Sequence, residues 1–332
     1  MVRYLVQRLV LMIPTLFLIS LVTFVIIQLP PGDYLETLAT ELRAAGETAD
    51  LQKLEFLRKQ YGLDQPLWRQ YWIWFTGLLR GDLGYSFEYD RPVSAIIGER
   101  LLLTFVVSFG AIAFTWIVAF PIGVYSATHQ YSWGDHGLTF LGFLGLATPN
   151  FLLALVLMFV SFTWFGVSVG GLFSPAFQDA PWGWAKVVDL LEHLWIPVIV
   201  IGTAGTAGMI RRLRANLLDE LRKQYVVTAR AKGLPPRRVL LKYPLRIALN
   251  PFISDIGNLL PEVVSGSIIV SIVLSLPTTG PMLLRALRTQ DMYLAGSFLM
   301  LLAALTVIGV FLSDLALAAL DPRIRQGAGR AR

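Results

Sequence analysis

The sequence predicts an all-α polytopic membrane protein with six transmembrane helices, both termini on the cytoplasmic side and a small helical segment outside, between helices 1 and 2. The composition excludes a soluble globule, because 55% of the 332 residues are hydrophobic and only 15% are charged. The apolar residues also gather in runs of about 20, the length with which an α-helix crosses the hydrocarbon layer of a bilayer. Six such runs follow one another, at residues 9–29, 101–127, 137–165, 195–210, 247–275 and 293–319.

The distribution of Lys and Arg predicts the orientation of these spans, because cytoplasmic loops carry an excess of both residues. The 211–246 connection is dense in Lys and Arg and holds only Asp219 and Glu220 as acids. This connection is expected inside, and an even number of spans places both arginine-bearing termini there too. The 33–100 and 166–194 segments, in which acids outnumber bases, are expected outside. Topology thus accounts for the pI near 9.6, and no nucleic-acid partner is expected.

The outer segment 33–100 is too polar to cross the membrane and too rich in aromatic residues to be a solvated linker. Its stretch "LQKLEFLRKQYGL" has apolar residues at helical spacing and ends with Gly62 as a C-cap, and "WRQYWIWFTGLL" repeats the spacing with Trp and Tyr suited to a membrane surface. We expect two or three short helices over the outer face. They would dock or gate something that arrives from outside, or they would merely cover the helix ends.

A further helical stretch lies in the basic inner connection. Residues 213–232 contain neither Gly nor Pro, which predicts a helix that first extends the fourth span and then continues as a short separate piece. Gly233 and the Leu-Pro-Pro that follows form a strong stop signal. Small side chains at Thr228, Ala229 and Ala231 would let a partner approach closely, and the neighbouring Arg residues would pair with its acidic groups. The alternative is an ordinary positive-inside loop.

Residues suited to enzyme chemistry are sparse. Cysteine is absent, and the phosphate-binding sequence G-x-x-x-x-G-K-[ST] does not occur. His129, His136 and His193 have no metal-ligand spacing and are expected at an interface or exposed. The sequence therefore predicts no catalytic residue, no metal site and no cofactor bound by this chain.

The stretch "YVVTARAKGLPPRRVLLKYPLRIALNP" resembles the cytoplasmic EAA loop of permeases of type I ATP-binding-cassette importers, and more narrowly those of the dipeptide, oligopeptide and nickel class. The resemblance extends over almost the whole chain through "RYLVQRLVLMIPTLFLISLVTFVIIQLPPGDY", "YGLDQPLWRQYWIWFTGLLRGDLGYSFEYDRPVSAIIGERL" and "DPRIR". It implies a single transmembrane permease domain, 1–332, in a bacterial or archaeal inner membrane. This domain would include a periplasmic segment, 33–100, and a cytoplasmic coupling loop, 211–246.

The resemblance also implies a site and a set of partners. A coupling helix would seat in a groove of the ATPase subunit, although Val227 stands where the wider consensus has Glu. The implied residues of this helix are Tyr225, Val227, Thr228, Ala229, Arg230, Ala231, Lys232 and Gly233. The implied partners are membrane lipid, a second homologous permease subunit that completes a heterodimeric pore, two ATPase subunits that hold ATP and Mg, and a periplasmic or lipid-anchored solute-binding protein.

Three acidic residues fall inside predicted spans, where a charge is costly and usually faces the bundle interior or a water-filled path. Asp255 and Glu262 are spaced to share one face of the fifth span, and Asp314 lies in the sixth. They would line or brace the translocation pathway, or else pair with Arg or backbone at a helix interface. A proton-coupled secondary transporter would also explain such carboxylates, but six spans without a visible inverted repeat are few for one.

Peptides are the solutes that the resemblance implies first, and oligosaccharides are the alternative. The stretch "VGGLFSPAFQDAPWGWAKVVDLLEHLW" is aromatic, and aromatic faces suit sugar rings. Tyr34 also stands where the peptide-type pattern more often has Pro. Tryptophans at a membrane interface are, however, equally expected with no solute at all.

Overall fold

The protein is mostly helical. The computed structural model describes residues 2–30, 32, 34–45, 54–56, 58–166, 170–178, 180–255 and 267–320. The helices are α1 Val2–Gln28, α2 Tyr34–Ala45, α3 Leu67–Leu79, α4 Val93–Thr128, α5 Trp133–Ala147, α6 Asn150–Phe165, α7 Trp184–Leu221, α8 Gln224–Ala231, α9 Pro236–Lys242, α10 Pro244–Ala248, α11 Asn250–Ser254, α12 Ile268–Val273, α13 Thr279–Arg288 and α14 Met292–Leu320. Pro175–Phe177 forms a 3-10 turn, and the antiparallel strands β1 Tyr85–Ser86 and β2 Arg91–Pro92 form a small hairpin.

Within the described residues, four helices are long and apolar enough to cross a membrane, namely α1, α4, α7 and α14. The pair α5 and α6 passes the same test jointly but is bent by 98°, so the chain has up to five candidate spans if the pair counts as one. This arrangement supports an all-α polytopic membrane protein. The fifth predicted span, 247–275, has short helices at both ends, and its centre at 256–266 lies outside the described residues.

The bend between α5 and α6 divides the predicted continuous span 137–165. Thr148 has φ −82° and ψ 121°, an extended conformation. The ring of Pro149 disfavours helical geometry in the residue before it, so the helix ends at that point. Apolar character alone predicted one helix here, because hydropathy does not register a local change of direction.

The described residues form two compact units, and the first comprises those that fall within 1–103 and 278–320. Here α1 packs along α14, and α3, which falls on the predicted aromatic helix, packs on α1. The contact between α1 and α3 is aromatic, with the Tyr71 ring centroid 5.4 Å from that of Phe24. Ser20 Oγ and Tyr71 OH share a hydrogen bond of 2.8 Å in the same interface. The predicted C-cap Gly62 has φ +68°.

A buried carboxylate anchors the hairpin in this first unit. Asp291 is fully buried and accepts hydrogen bonds from Ser86 Oγ at 2.6 Å and from the backbone N–H groups of Glu88 and Leu294, each at 3.2 Å. Burial raises the pKa of Asp291 above its ordinary value. The Arg285 guanidinium pairs with the Glu88 carboxylate at 2.5 Å, which ties the same hairpin to α13.

The second unit, 104–277, is built around α7, which packs against α5, α6 and α10. Arg214 on α7 donates to the Asp135 carboxylate of α5 from Nη2 at 2.9 Å and from Nε at 3.2 Å. Because the Asp135 side chain is only 3% exposed, this ion pair is a buried brace between the two helices. The Arg residues at the start of the predicted basic connection therefore lie on α7, as the predicted extension of the fourth span requires.

The α7 helix begins at Trp184, earlier than the predicted span at 195–210. Of the two positions predicted for His193, at an interface or exposed, the exposed one is wrong. This imidazole is buried, with Nδ1 2.8 Å from the Asp189 carbonyl oxygen. The Asp189 carboxylate in turn accepts from Ser174 N at 2.8 Å. In the sequence, Asp189 is only one of the acids of the predicted outer segment 166–194, and its partner Ser174 lies on a neighbouring non-helical segment.

Candidate functional site

The short basic helix α8 follows α7 after a two-residue turn. The α7 helix ends at Leu221, and α8 spans Gln224–Ala231, which confirms the predicted separate helical piece. Tyr225 OH donates to the Glu220 carboxylate across the turn. Burial, followed by this hydrogen bond, raises the pKa of the Tyr225 phenol. The angle at which α8 leaves α7 is therefore supported by a specific side-chain contact.

The end of α8 is a Schellman cap. Gly233 has φ +75°, its N–H donates to Arg230 O at 2.9 Å, and the N–H of Leu234 donates to Ala229 O at 3.4 Å. This pair of hydrogen bonds around a left-handed residue satisfies carbonyls that a helix end would otherwise leave open. The predicted stop at Gly233 is present, and Pro235 prevents the helix from continuing.

A small apolar core holds α8 against α9. Val226 and Ala229 of α8 are buried against Val239 of α9, with Leu234 and Tyr243 packed around them. Ala229 therefore faces the chain itself, whereas the sequence interpretation placed it on a contact surface. Its small size lets α8 lie close to α9. The signal available in the sequence was the helical spacing of the apolar pair, which marks an inward face.

The other predicted residues of α8 are presented outward, apart from the half-buried Tyr225. Val227 is 51% exposed although it is apolar, and it stands among polar and small side chains. We call this set the α8 surface, and it consists of Val227, Thr228, Arg230, Ala231, Lys232 and Gly233. Such a surface suits a partner that approaches the helix closely and carries acidic groups.

Both described acidic residues of the predicted spans are ion-paired. Arg212 Nη1 lies 2.6 Å from Asp255 Oδ2 in the second unit. Arg8 Nη1 lies 3.2 Å from Asp314 Oδ2 in the first. Glu262 lies outside the described residues. Asp314 therefore has an arginine partner within the first unit, which is one of the two predicted roles for it.

A cavity of about 610 Å³ opens inside the second unit. Its walls combine aromatic side chains such as Trp116 and Phe252 with Gly205 and Gly208 of α7. Asp255 and Arg212 both line this cavity. In the sequence, Arg212 is only one of the basic residues that indicate the cytoplasmic side. Of the glycines in "GTAGTAG", Gly202 and Gly205 allow close approach of α4, because an added Cβ would meet Phe114 or Thr115, whereas a Cβ at Gly208 would meet no heavy atom within 4 Å.

The chain matches known transport proteins over its whole length. Residues 119–326 match the family described as binding-protein-dependent transport system inner membrane component, and residues 1–108 match the N-terminal part of such membrane components. The oligopeptide transport system permease protein AppB of Bacillus subtilis is 33% identical over 328 residues, which is 98% of this chain and 99% of the relative.

Two further relatives have similar coverage. A putative peptide permease protein of Brucella ovis is 32% identical over 331 residues, and the glutathione transport system permease protein GsiC of Pectobacterium atrosepticum is 33% identical over 328 residues. In both cases the match covers 98% of this chain and 99% of the relative. The resemblance found in the sequence is thereby confirmed.

Members of this family work with ATPase and solute-binding partners, and a separate subunit hydrolyses ATP. The apolar helices agree with a multi-pass protein of the bacterial inner membrane. The chain therefore belongs to the binding-protein-dependent transport system inner membrane component family and is a permease subunit of an ATP-binding-cassette importer.

Proposed function

We propose that this permease forms half of a pore for oligopeptides and that α8 is the helix through which ATP hydrolysis drives it. The single observation that carries the proposal is α8 itself, a short helix that is closed by a Schellman cap and packed on its own small core, with the α8 surface turned outward. A rigid helix end transmits displacement, whereas a solvated loop would absorb it.

The remaining parts of the proposal follow from the sequence. Six spans place the termini and the 211–246 connection in the cytoplasm and the 33–100 segment in the periplasm. A second, homologous permease completes the pore, and two ATPase subunits hold ATP and Mg. A solute-binding protein docks on the periplasmic side. When the two ATPase subunits bind ATP, they close on each other and move the α8 helices of the two permeases together. The pore then shifts between two conformational states whose free energies differ by a few kcal/mol.

Peptides are proposed as the solute on two grounds. The relatives are named for oligopeptide, peptide and glutathione transport. The aromatic segment that favoured oligosaccharides also has an internal role, because Lys186 Nζ lies 4.8 Å from the Phe173 ring centroid and 5.4 Å from that of Trp182. Lys186 also donates to Ala180 O at 2.6 Å, so these rings enclose a buried ammonium group of the chain itself.

Association with the ATPase tests the role of α8, and two matched threonines provide the comparison. Thr228 on the α8 surface and Thr40 on α2 are both exposed, and each donates its hydroxyl to the carbonyl four residues earlier. Thr228→Trp is expected to reduce the amount of ATPase that co-purifies with the tagged permease, whereas Thr40→Trp leaves it unchanged. Equal recovery of the ATPase with both variants would exclude α8 as the docking helix.

A further inference from the structure

The ion pair between Arg212 and Asp255 stands at the wall of the large cavity in the second unit. Their side chains are 50% and 40% exposed, and the Arg212 guanidinium lies over the Phe252 ring at 4.6 Å from its centroid. Among the described residues that line the cavity, these two are the charged ones. A positive and a negative group are thus held side by side, stacked on an aromatic face and open to the cavity.

A second ion pair on the same helix shows the difference between a brace and an exchangeable pair. The Asp135 carboxylate is 3% exposed and receives Arg214 together with the Tyr131 N–H. Removing its arginine would leave a buried charge without compensation. The Asp255 carboxylate is half-solvated, so water replaces its partner at little cost when the pair opens. The pair at the cavity can therefore change partners, whereas the buried pair cannot.

The other walls of the cavity suit a short peptide. Trp116 and Phe252 offer apolar contact, and Thr115 and Asn150 offer hydrogen-bonding groups for amides. A peptide with free ends and uncharged side chains is neutral overall but carries an ammonium group at one end and a carboxylate at the other. Whichever end enters the cavity meets a side chain of opposite charge.

We propose that Arg212 and Asp255 exchange partners with the passing solute, Asp255 accepting hydrogen bonds from the peptide ammonium group and Arg212 donating to the peptide carboxylate. The proposal rests on the oligopeptide function proposed above and adds the part of the solute that this permease recognises. A neutral oligosaccharide has no charge to exchange, so the pair also favours peptides over sugars.

Equilibrium binding to the assembled permease and ATPase subunits in lipid nanodiscs tests this exchange. The solute-binding protein is left out so that its own selectivity does not enter. The probe is radiolabelled trialanine, competed by trialanine, its N-acetyl form, its C-terminal amide and the doubly blocked form. Blocking either end is expected to weaken binding to the wild type about fivefold, the upper range for a partly exposed ion pair.

Two substitutions that replace a charged side chain by a neutral one show which side chain binds which end of the peptide. Asp255→Asn should remove the preference for a free amino group and keep the preference for a free carboxylate, and Arg212→Gln should do the reverse. The controls are Asp219→Asn and Arg211→Gln on α7, which remove the same charges from exposed positions outside the cavity. Both controls are expected to keep both preferences, and binding of the doubly blocked peptide should be the same in every variant.

The proposal is overturned if the wild type binds all four peptides equally, if it binds none, or if the variants weaken the blocked and free forms alike, as a simple brace would. The proposed function is tested separately by the stimulation of ATPase activity with peptide-loaded binding protein. Stimulation without any preference for free ends leaves peptide import intact and removes only the exchange. Failure of stimulation with every peptide removes the peptide function itself.

Discussion

Replacing Gly233 tests whether the Schellman cap of α8 is needed to couple ATP hydrolysis by the ATPase subunits to this permease. A Cβ added at this glycine meets no heavy atom within 4 Å, so the cost of a side chain lies in the backbone conformation alone. At φ +75° an alanine costs about 1 kcal/mol relative to glycine, and asparagine, which tolerates this region, costs less. A β-branched valine costs more than alanine.

The cost falls on a small unit, because α8 has only Gln224–Ala231 and its own core contains Val226, Ala229 and Val239. A change of about 1 kcal/mol alters a local opening equilibrium roughly fivefold. The backbone amides at positions 233 and 234 donate to the last carbonyls of the helix. We therefore expect these two amides to exchange with deuterium about fivefold faster in Gly233→Ala than in the wild type.

Two measurements on the reconstituted importer check this expectation. Hydrogen exchange reports the cap itself, and ATPase activity with loaded binding protein reports coupling. Coupling should fall in the order glycine, asparagine, alanine, valine. Unchanged exchange in Gly233→Ala and Gly233→Val would show that the left-handed glycine does not stabilise the cap. Faster exchange with stimulated ATPase activity equal to that of the wild type in all variants would show that the cap does not affect coupling.

Three further substitutions act through packing and buried charge. Arg214→Ala leaves the Asp135 carboxylate buried without its cation and should destabilise the permease by about 3 kcal/mol, seen as a lower thermal unfolding midpoint in detergent. Asp291→Ala removes the acceptor of three donors, including the Ser86 hydroxyl, and should lower the free energy of unfolding by about 2 kcal/mol. An unchanged unfolding midpoint in the same assay would show that Asp291 does not anchor the hairpin. Ala229→Leu overfills the α8 core at a cost of about 2 kcal/mol and should reduce ATPase recovery, whereas full recovery would show that this core has room.

Elements that depend on local sequence were predictable. The helical piece after the fourth span, its stop at Gly233 and the aromatic helix α3 follow from the spacing of apolar residues and from the chemistry of Gly and Pro. Each of these signals acts within about one helical turn, so no knowledge of the tertiary structure is needed.

Features that depend on distant partners were not predictable in the same way. The inward position of Ala229 requires Val239, and the burial of His193 accompanies the segment that holds Ser174. Arg212 could be placed inside from its charge, but its position beside a cavity depends on how α11 returns to α7. The spacing of residues in the sequence predicts one helix at a time, whereas the burial of a side chain depends on how several helices and loops pack together.

The ATPase activity of the purified permease and ATPase complex in liposomes, with binding protein added empty or loaded with oligopeptide, shows whether α8 couples ATP hydrolysis to peptide import. We predict that hydrolysis rises with the loaded binding protein and that Thr228→Trp abolishes the rise while Thr40→Trp does not. Hydrolysis that does not respond to any peptide-loaded binding protein, or that responds equally in both variants, would contradict the account.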